Sequence, residues 1–297
     1  MNEKRMFIAA AALILAVAML AGITSGGMAQ ASQGTDRGGK AGRLDFTTVL
    51  HGGEPAKFIL GPCARLGGYV VDITPLRDSE DGAYIEKSIL PEFIGDRWVD
   101  VLTLLLPSDV PPLKVHVQVY STASWPVVFQ STLNLNPGAW HGFRVQESSV
   151  AGGYVIEINP RGTAQPGDRV ERALVQPEFP ADGYWCDVLR LMIPVEQQAM
   201  EAEVIVYQTP AGLPVVAEYE LDAEAGVWYG LGIGDSQAGG AYVVEVTPLV
   251  NELSQIERYT IQPEFDGQNW NDVVRVMVSP EWPTMPLRVT VYLAGGG

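Results

Sequence analysis

Cysteine is scarce in this chain, with two residues in 297, Cys63 and Cys186. A set of disulfide-stapled mini-domains is therefore excluded, and stability has to come from apolar cores. Histidine is nearly as rare. His51, His116 and His141 form no His-x-x-x-His or Glu-x-x-His pair, so neither a transition-metal site nor a triad is indicated. A Gly-x-Ser-x-Gly elbow is missing. Gly230-Leu-Gly-Ile-Gly234 is glycine-rich, but no helical pattern follows it, so it does not read as a phosphate cradle. Beyond residue 31 no segment keeps a helical period for a useful length. Glycine (32) and proline (21) interrupt the chain too often, and β-branched residues dominate the apolar runs.

Basic residues are the other shortage. Lys and Arg number 19 against 35 Asp and Glu, a formal net charge of −16. Nucleic acid and anionic lipid both require clustered Lys and Arg, so neither is an expected partner. Residues 1–31 carry a basic start (Lys4, Arg5), an apolar core and a small-x-small triplet at Ala29-Gln30-Ala31, the pattern of a secretory signal peptide. Its removal leaves 34 acidic and 17 basic residues, a net charge of −17, and no membrane span. A secreted or periplasmic location, in a bacterial envelope, is expected. Residues 32–43 are polar and Gly-rich and read as a disordered lead-in.

What is present is one module written three times. It contains Gly67-Gly-Tyr-Val-Val-Asp-Ile-Thr-Pro75, then Gly152-Gly-Tyr-Val-Ile-Glu-Ile-Asn-Pro160, then Gly240-Ala-Tyr-Val-Val-Glu-Val-Thr-Pro248. Each copy continues to Pro-Glu-Phe (91–93, 177–179, 263–265) and to Trp-x-Asp (98–100, 185–187, 270–272), and closes on a strand ending near Tyr120, Tyr207 or Tyr292. Glu92 to Glu178 is 86 residues, and Glu178 to Glu264 is 86 again. A fixed period identifies a repeat architecture. Six short strands per copy predict an all-β chain of three tandem antiparallel β-sandwich modules, 44–121, 126–209 and 214–293. Short Pro-containing links join them as a stiff rod or a compact pseudo-threefold body. Six strands in about 80 residues can close a small sandwich, so 214–293 is expected to fold alone. Cys63 and Cys186 hold non-equivalent positions in their copies, and free thiols are expected.

Alternation along the Gly-Gly-Tyr strand places Tyr69, Val71 and Ile73 inward, and Val70, Asp72 and Thr74 on an outer face expected to be wet. The strand after each Trp is apolar on both faces and is expected to be central. Charged outer faces argue against a membrane barrel.

Two residue sets are candidates for function. Each copy gathers carboxylates around one loop: Glu92, Asp96 and Asp100; Glu178, Asp182 and Asp187; Glu264, Asp266 and Asp272. Converging oxygens of this kind suit Ca²⁺, the one cofactor suggested. Turn capping and ion pairing with Arg190 and Arg275 compete with that reading, and the first copy has Thr103 in place of the Arg. The recurring Trp98, Trp185 and Trp270 are expected in cores. Trp125 and Trp282 do not recur and stand near loops, where an indole can stack on a sugar or anchor a partner. The expected function is non-enzymatic binding, adhesion or structural assembly outside the cytoplasm. Its partner would be an extracellular polymer, glycan or protein, or further copies of the chain. A carbohydrate-binding protein using loop Trp residues and a carboxylate-dependent hydrolase are the alternatives.

Overall fold

The computed structural model describes residues 29–30, 44–63, 67–148, 153–162, 164–179, 183–250 and 256–295. The expected signal peptide and lead-in lie outside these residues, apart from a two-residue strand β1 (Ala29–Gln30) that pairs in parallel with Phe58 and Ile59. Among the described residues no helix is long and apolar enough to cross a membrane.

The remaining 18 strands form three modules. The first contains β2 (Leu44–Leu50), β3 (Ala56–Pro62), β4 (Tyr69–Pro75), β5 (Glu86–Ile94), β6 (Arg97–Leu105) and β7 (Leu113–Ser121). The second contains β8 (Val127–Leu135), β9 (His141–Glu147), β10 (Tyr154–Arg161), β11 (Arg172–Glu178), β12 (Cys186–Met192) and β13 (Met200–Gln208). The third contains β14 (Val215–Ala223), β15 (Trp228–Asp235), β16 (Ala241–Pro248), β17 (Ile256–Phe265), β18 (Trp270–Val278) and β19 (Met285–Gly295). In every module two three-stranded antiparallel sheets face each other, ordered β2-β7-β4 with β3-β6-β5, and likewise in the other two. The post-Trp strands β6, β12 and β18 are central, as their two-sided apolar pattern predicts. The inner rows Val115, Val117, Val119 and Leu102, Leu104, Leu106 are fully buried between the first module's sheets.

The modules interlock in a cycle. Phe265 and Trp270 of the third module belong to the core of the first. Trp98 of the first packs against the core of the second. Phe179 and Trp185 of the second pack with the core of the third. Within each plug the Phe and Trp rings meet at 5.5–5.6 Å between centroids. Backbone pairing follows the same direction. Phe93 N donates to Asp168 O and Val170 N to Pro91 O. Gly82 N donates to Phe265 O and Ile85 N to Pro263 O. The fourth strand of the first two modules starts only at Glu86 and Arg172, because the residues before it bond across to the neighbouring module instead. These contacts make the arrangement a pseudo-threefold body and not a rod.

The three Gly-Gly-Tyr strands meet at its centre, where Val70, Val155 and Val243 join Ile205, Tyr207 and Ala241 in a separate apolar cluster. Much of the strand face expected to be wet is therefore covered. Val70 and Val155 are buried, and Asp72 and Glu157 are 3% and 4% exposed, because neighbouring modules cover them. In the first two copies the second glycine of the motif is needed for that approach, and the third has Ala241 there. A Cβ on Gly68 would stand 2.4 Å from Val155 Cγ1, and one on Gly153 would stand 2.4 Å from Val243 Cγ1 and 2.6 Å from the Val244 carbonyl oxygen.

Because each plug stabilises the next module, damage should appear next door. Trp270→Ala is expected to cost about 3–5 kcal/mol, as for a large buried aromatic. Hydrogen exchange should accelerate in β2–β7 at least as much as in the third module. Faster exchange confined to β14–β19 would contradict the interlock.

Candidate functional site

Among the described residues the acidic sets do not converge. Glu92, Glu178 and Glu264 sit on one sheet face and each meets a cation. Arg190 grips Glu178 through two bonds, Nε to Oε1 at 2.7 Å and Nη2 to Oε2 at 2.5 Å. Arg275 holds Glu264 the same way, with Nε to Oε1 at 2.6 Å. Each Arg lies over a glycine of the adjacent strand, Gly142 or Gly230, where a Cβ would meet the guanidinium at 2.5 or 2.9 Å. The first module reaches the same result by exchange. Lys57 stands where the glycine would be, across from Thr103 where the Arg would be, and donates to Glu92 at 2.7 and 2.9 Å. In the first and third sets the second Asp goes elsewhere. Asp96 is exposed in its turn, and Asp266 caps a turn by accepting from Gln268 N and Asn269 N. Asp182 lies outside the described residues. Among the described residues no group of three or more His, Cys, Asp or Glu side chains is arranged to hold a metal ion.

The third acid of each set has a different role. Asp100, Asp187 and Asp272 are 7%, 6% and 5% exposed, at the three module junctions. Each accepts from an equivalent side chain: Cys63 Sγ at 3.4 Å, Ser148 Oγ at 2.6 Å and Ser236 Oγ at 3.0 Å. The motif tyrosine stands beside it. Tyr69 bonds Asp100, Tyr154 bonds Asp187, and Tyr242 lies in the field of Asp272. Facing each Asp is the motif acid of the next module, Glu157, Glu245 and Asp72 in turn. The closing tyrosines brace two of these, with Tyr207 Oη donating to Glu157 and Tyr292 Oη to Glu245, both at 2.6 Å. Gly67 N also donates to Glu157 at 2.6 Å across the first junction.

Burial governs the protonation of these acids. It raises Asp100 and Asp272 to about 6, and raises Asp187 as well. The Cys63 thiol is pushed up by burial and by Asp100. The junctions differ at one strand position, occupied by Lys87, Ala173 or Tyr259. Lys87 opposes the rise at Asp272, and its own ammonium is lowered by burial. Tyr259 Oη donates to the Val175 carbonyl. Beside Ser148, Tyr154 and Asp187 there remains a cavity of about 10 Å³, room for about one water and no substrate.

The other candidates also have places. Trp125 packs against the central apolar cluster and Trp282 against the third module's core. The broadly exposed indoles are Trp140 and Trp228, at 46% and 43%. They hold the same position in two modules, two residues after the turn glycines Gly138 and Gly226. That recurrence is legible in the sequence, but it reads equally as a core pattern. His116 pairs with Asp45 at 2.6 Å on the surface, and His141 stacks on Phe143. Cys63 and Cys186 are both buried and are not bridged to each other. A separate cleft of about 480 Å³ opens between the first and second modules, with Trp98 and Arg97 on one side and Asn159 and Arg161 on the other.

The raised carboxyls fix a pH dependence. A folded-state value near 6 against an ordinary value near 3.8 means that the folded chain holds these protons more tightly. The contribution to stability is fully present below about pH 4 and is lost as pH rises through about 6. Two shifts of this size amount to about 3 kcal/mol each at most. The melting temperature should therefore rise between pH 7.5 and pH 5, and Asp100→Asn with Asp272→Asn should flatten that rise. A melting temperature that falls over this range, or an unchanged slope in the double variant, would contradict the assignment. No family model, curated protein or solved structure matches the chain.

Proposed function

We propose that this chain is a non-enzymatic extracytoplasmic protein that works by binding or assembly as one rigid three-module body. The observation that carries the reading is where the thrice-repeated residues go. The Gly-Gly-Tyr strands, the Pro-Glu-Phe segments, the Trp-x-Asp residues and the closing tyrosines are engaged within or between modules. The repeat thus serves construction, and the residues that vary between copies are left for recognition. The acidic composition favours a protein, glycan or other polymer over nucleic acid as the partner. The hydrolase alternative is weakened at Asp187, whose buried junction has space for about one water.

Glycan binding is the second reading, favoured by the exposed Trp140 and Trp228. Two indoles on one rigid body can engage a polymer with avidity. Two measurements test the pair of readings. The intact chain should turn over nothing on a broad panel of glycosidase, esterase and peptidase substrates; turnover abolished by Asp187→Asn would overturn the non-enzymatic reading. On a glycan array, binding lost in Trp140→Ala with Trp228→Ala would support the second reading, and a flat array would remove it.

A further inference from the structure

We propose that the cleft between the first and second modules is a binding site for a small hydroxylated carboxylate, of the size and chemistry of a uronic acid. It goes beyond the assembly reading and does not depend on it. The volume, about 480 Å³, lies within the range of small-ligand sites.

The cleft is where the pseudo-threefold symmetry is broken. At the other two junctions the plug indole is capped by the next module: Trp185 Nε1 donates to the Val250 carbonyl at 2.5 Å, and Trp270 Nε1 to the Arg77 carbonyl at 2.9 Å. Trp98 Nε1 is buried with no such partner among the described residues. Opposite it, Asn159 donates its Nδ2 to Glu157 at 2.7 Å, which fixes the amide, and its buried Oδ1 has no donor. A lone buried donor and a lone buried acceptor, on two residues that line the same cleft, are each costly unless something bonds them.

The charges say what that is. Glu157 is already bonded by Gly67 N, Tyr207 and Asn159. Arg161 is tied to Glu203 at 2.8 Å. Arg97, at the mouth, has no ion-pair partner among the described residues, so its guanidinium presents an open fork suited to a carboxylate. An indole N–H and an amide oxygen complement hydroxyl groups, which accept from one and donate to the other. Arg97, Asn159 and Arg161 do not recur. Arg97 is matched by Tyr184 and Asn269, Asn159 by Thr74 and Thr247, and Arg161 by Leu76 and Leu249. One site per chain follows.

Calorimetry on the full chain with galacturonate and glucuronate tests this, with galactose, glucose and acetate as controls. The expected result is one equivalent per chain for at least one uronate, with neutral sugar and acetate at least about tenfold weaker. Arg97→Ala, an exposed change, should weaken uronate binding about tenfold while the melting temperature is kept. Trp98→Phe keeps an aromatic plug, removes the indole N–H and should weaken binding too. Absence of uronate binding would overturn the proposal. So would three equivalents per chain, equal affinity for the neutral sugars, or affinity unchanged in both variants.

Discussion

Everything else in this molecule depends on an apolar plug that each module inserts into the next. A sandwich of about 80 residues has too little interior to be more than marginally stable by itself. Here each core is completed by an aromatic pair or indole from its neighbour, and the third plug returns to the first module, 193 residues away along the chain at its Trp270–Arg77 bond. Closure couples the three cores, so that the loss of one plug is felt in a different module from the one that supplies it. Pairing over such separations carries a large loop-closure cost, which implies slow folding relative to helical proteins of this size.

Closure also explains the buried charge. Bringing three Gly-Gly-Tyr strands together covers Asp72 and Glu157 and sets each motif acid facing an Asp of the preceding module. Like charges in a dry junction are unfavourable unless one holds a proton or a donor stands by. The chain supplies Cys63, Ser148 or Ser236, the motif tyrosines, and at one junction Lys87. The sheet-face Glu residues illustrate the same economy of charge. Lys57 with Thr103 and Gly142 with Arg190 are two ways of delivering one cation to one carboxylate.

Much of the fold was legible from alternation and period. Three modules, six strands in each and a central post-Trp strand all follow from side-chain patterning, since one strand face must be apolar to build a core. The assignment of Asp72 to a wet face is overturned by its burial. Alternation reports side-chain chemistry and cannot tell solvent from a neighbouring module that brings its own hydrogen bonds. The Pro-Glu-Phe segment was only half legible for a related reason, since one of its edges pairs within its own module and the other bonds to another copy. The candidate site was less legible. Trp125 and Trp282 stood out because they do not recur, and they pack partly buried against apolar clusters, whereas the exposed Trp140 and Trp228 share a module position. The cleft at the first junction was invisible, because it arises from an indole that has lost the cap its two counterparts keep.

The most direct test of the closed cycle is equilibrium unfolding of residues 214–293 compared with the intact chain. The sequence pattern alone expects this fragment to fold, since it contains all six strands β14–β19. The interlock expects otherwise, because the fragment lacks Phe179 and Trp185 from its core. The intact chain should unfold in one cooperative transition while the fragment shows no cooperative transition or one at much lower denaturant. A fragment as stable as the third module within the intact chain would contradict the cycle and return the molecule to three independent sandwiches.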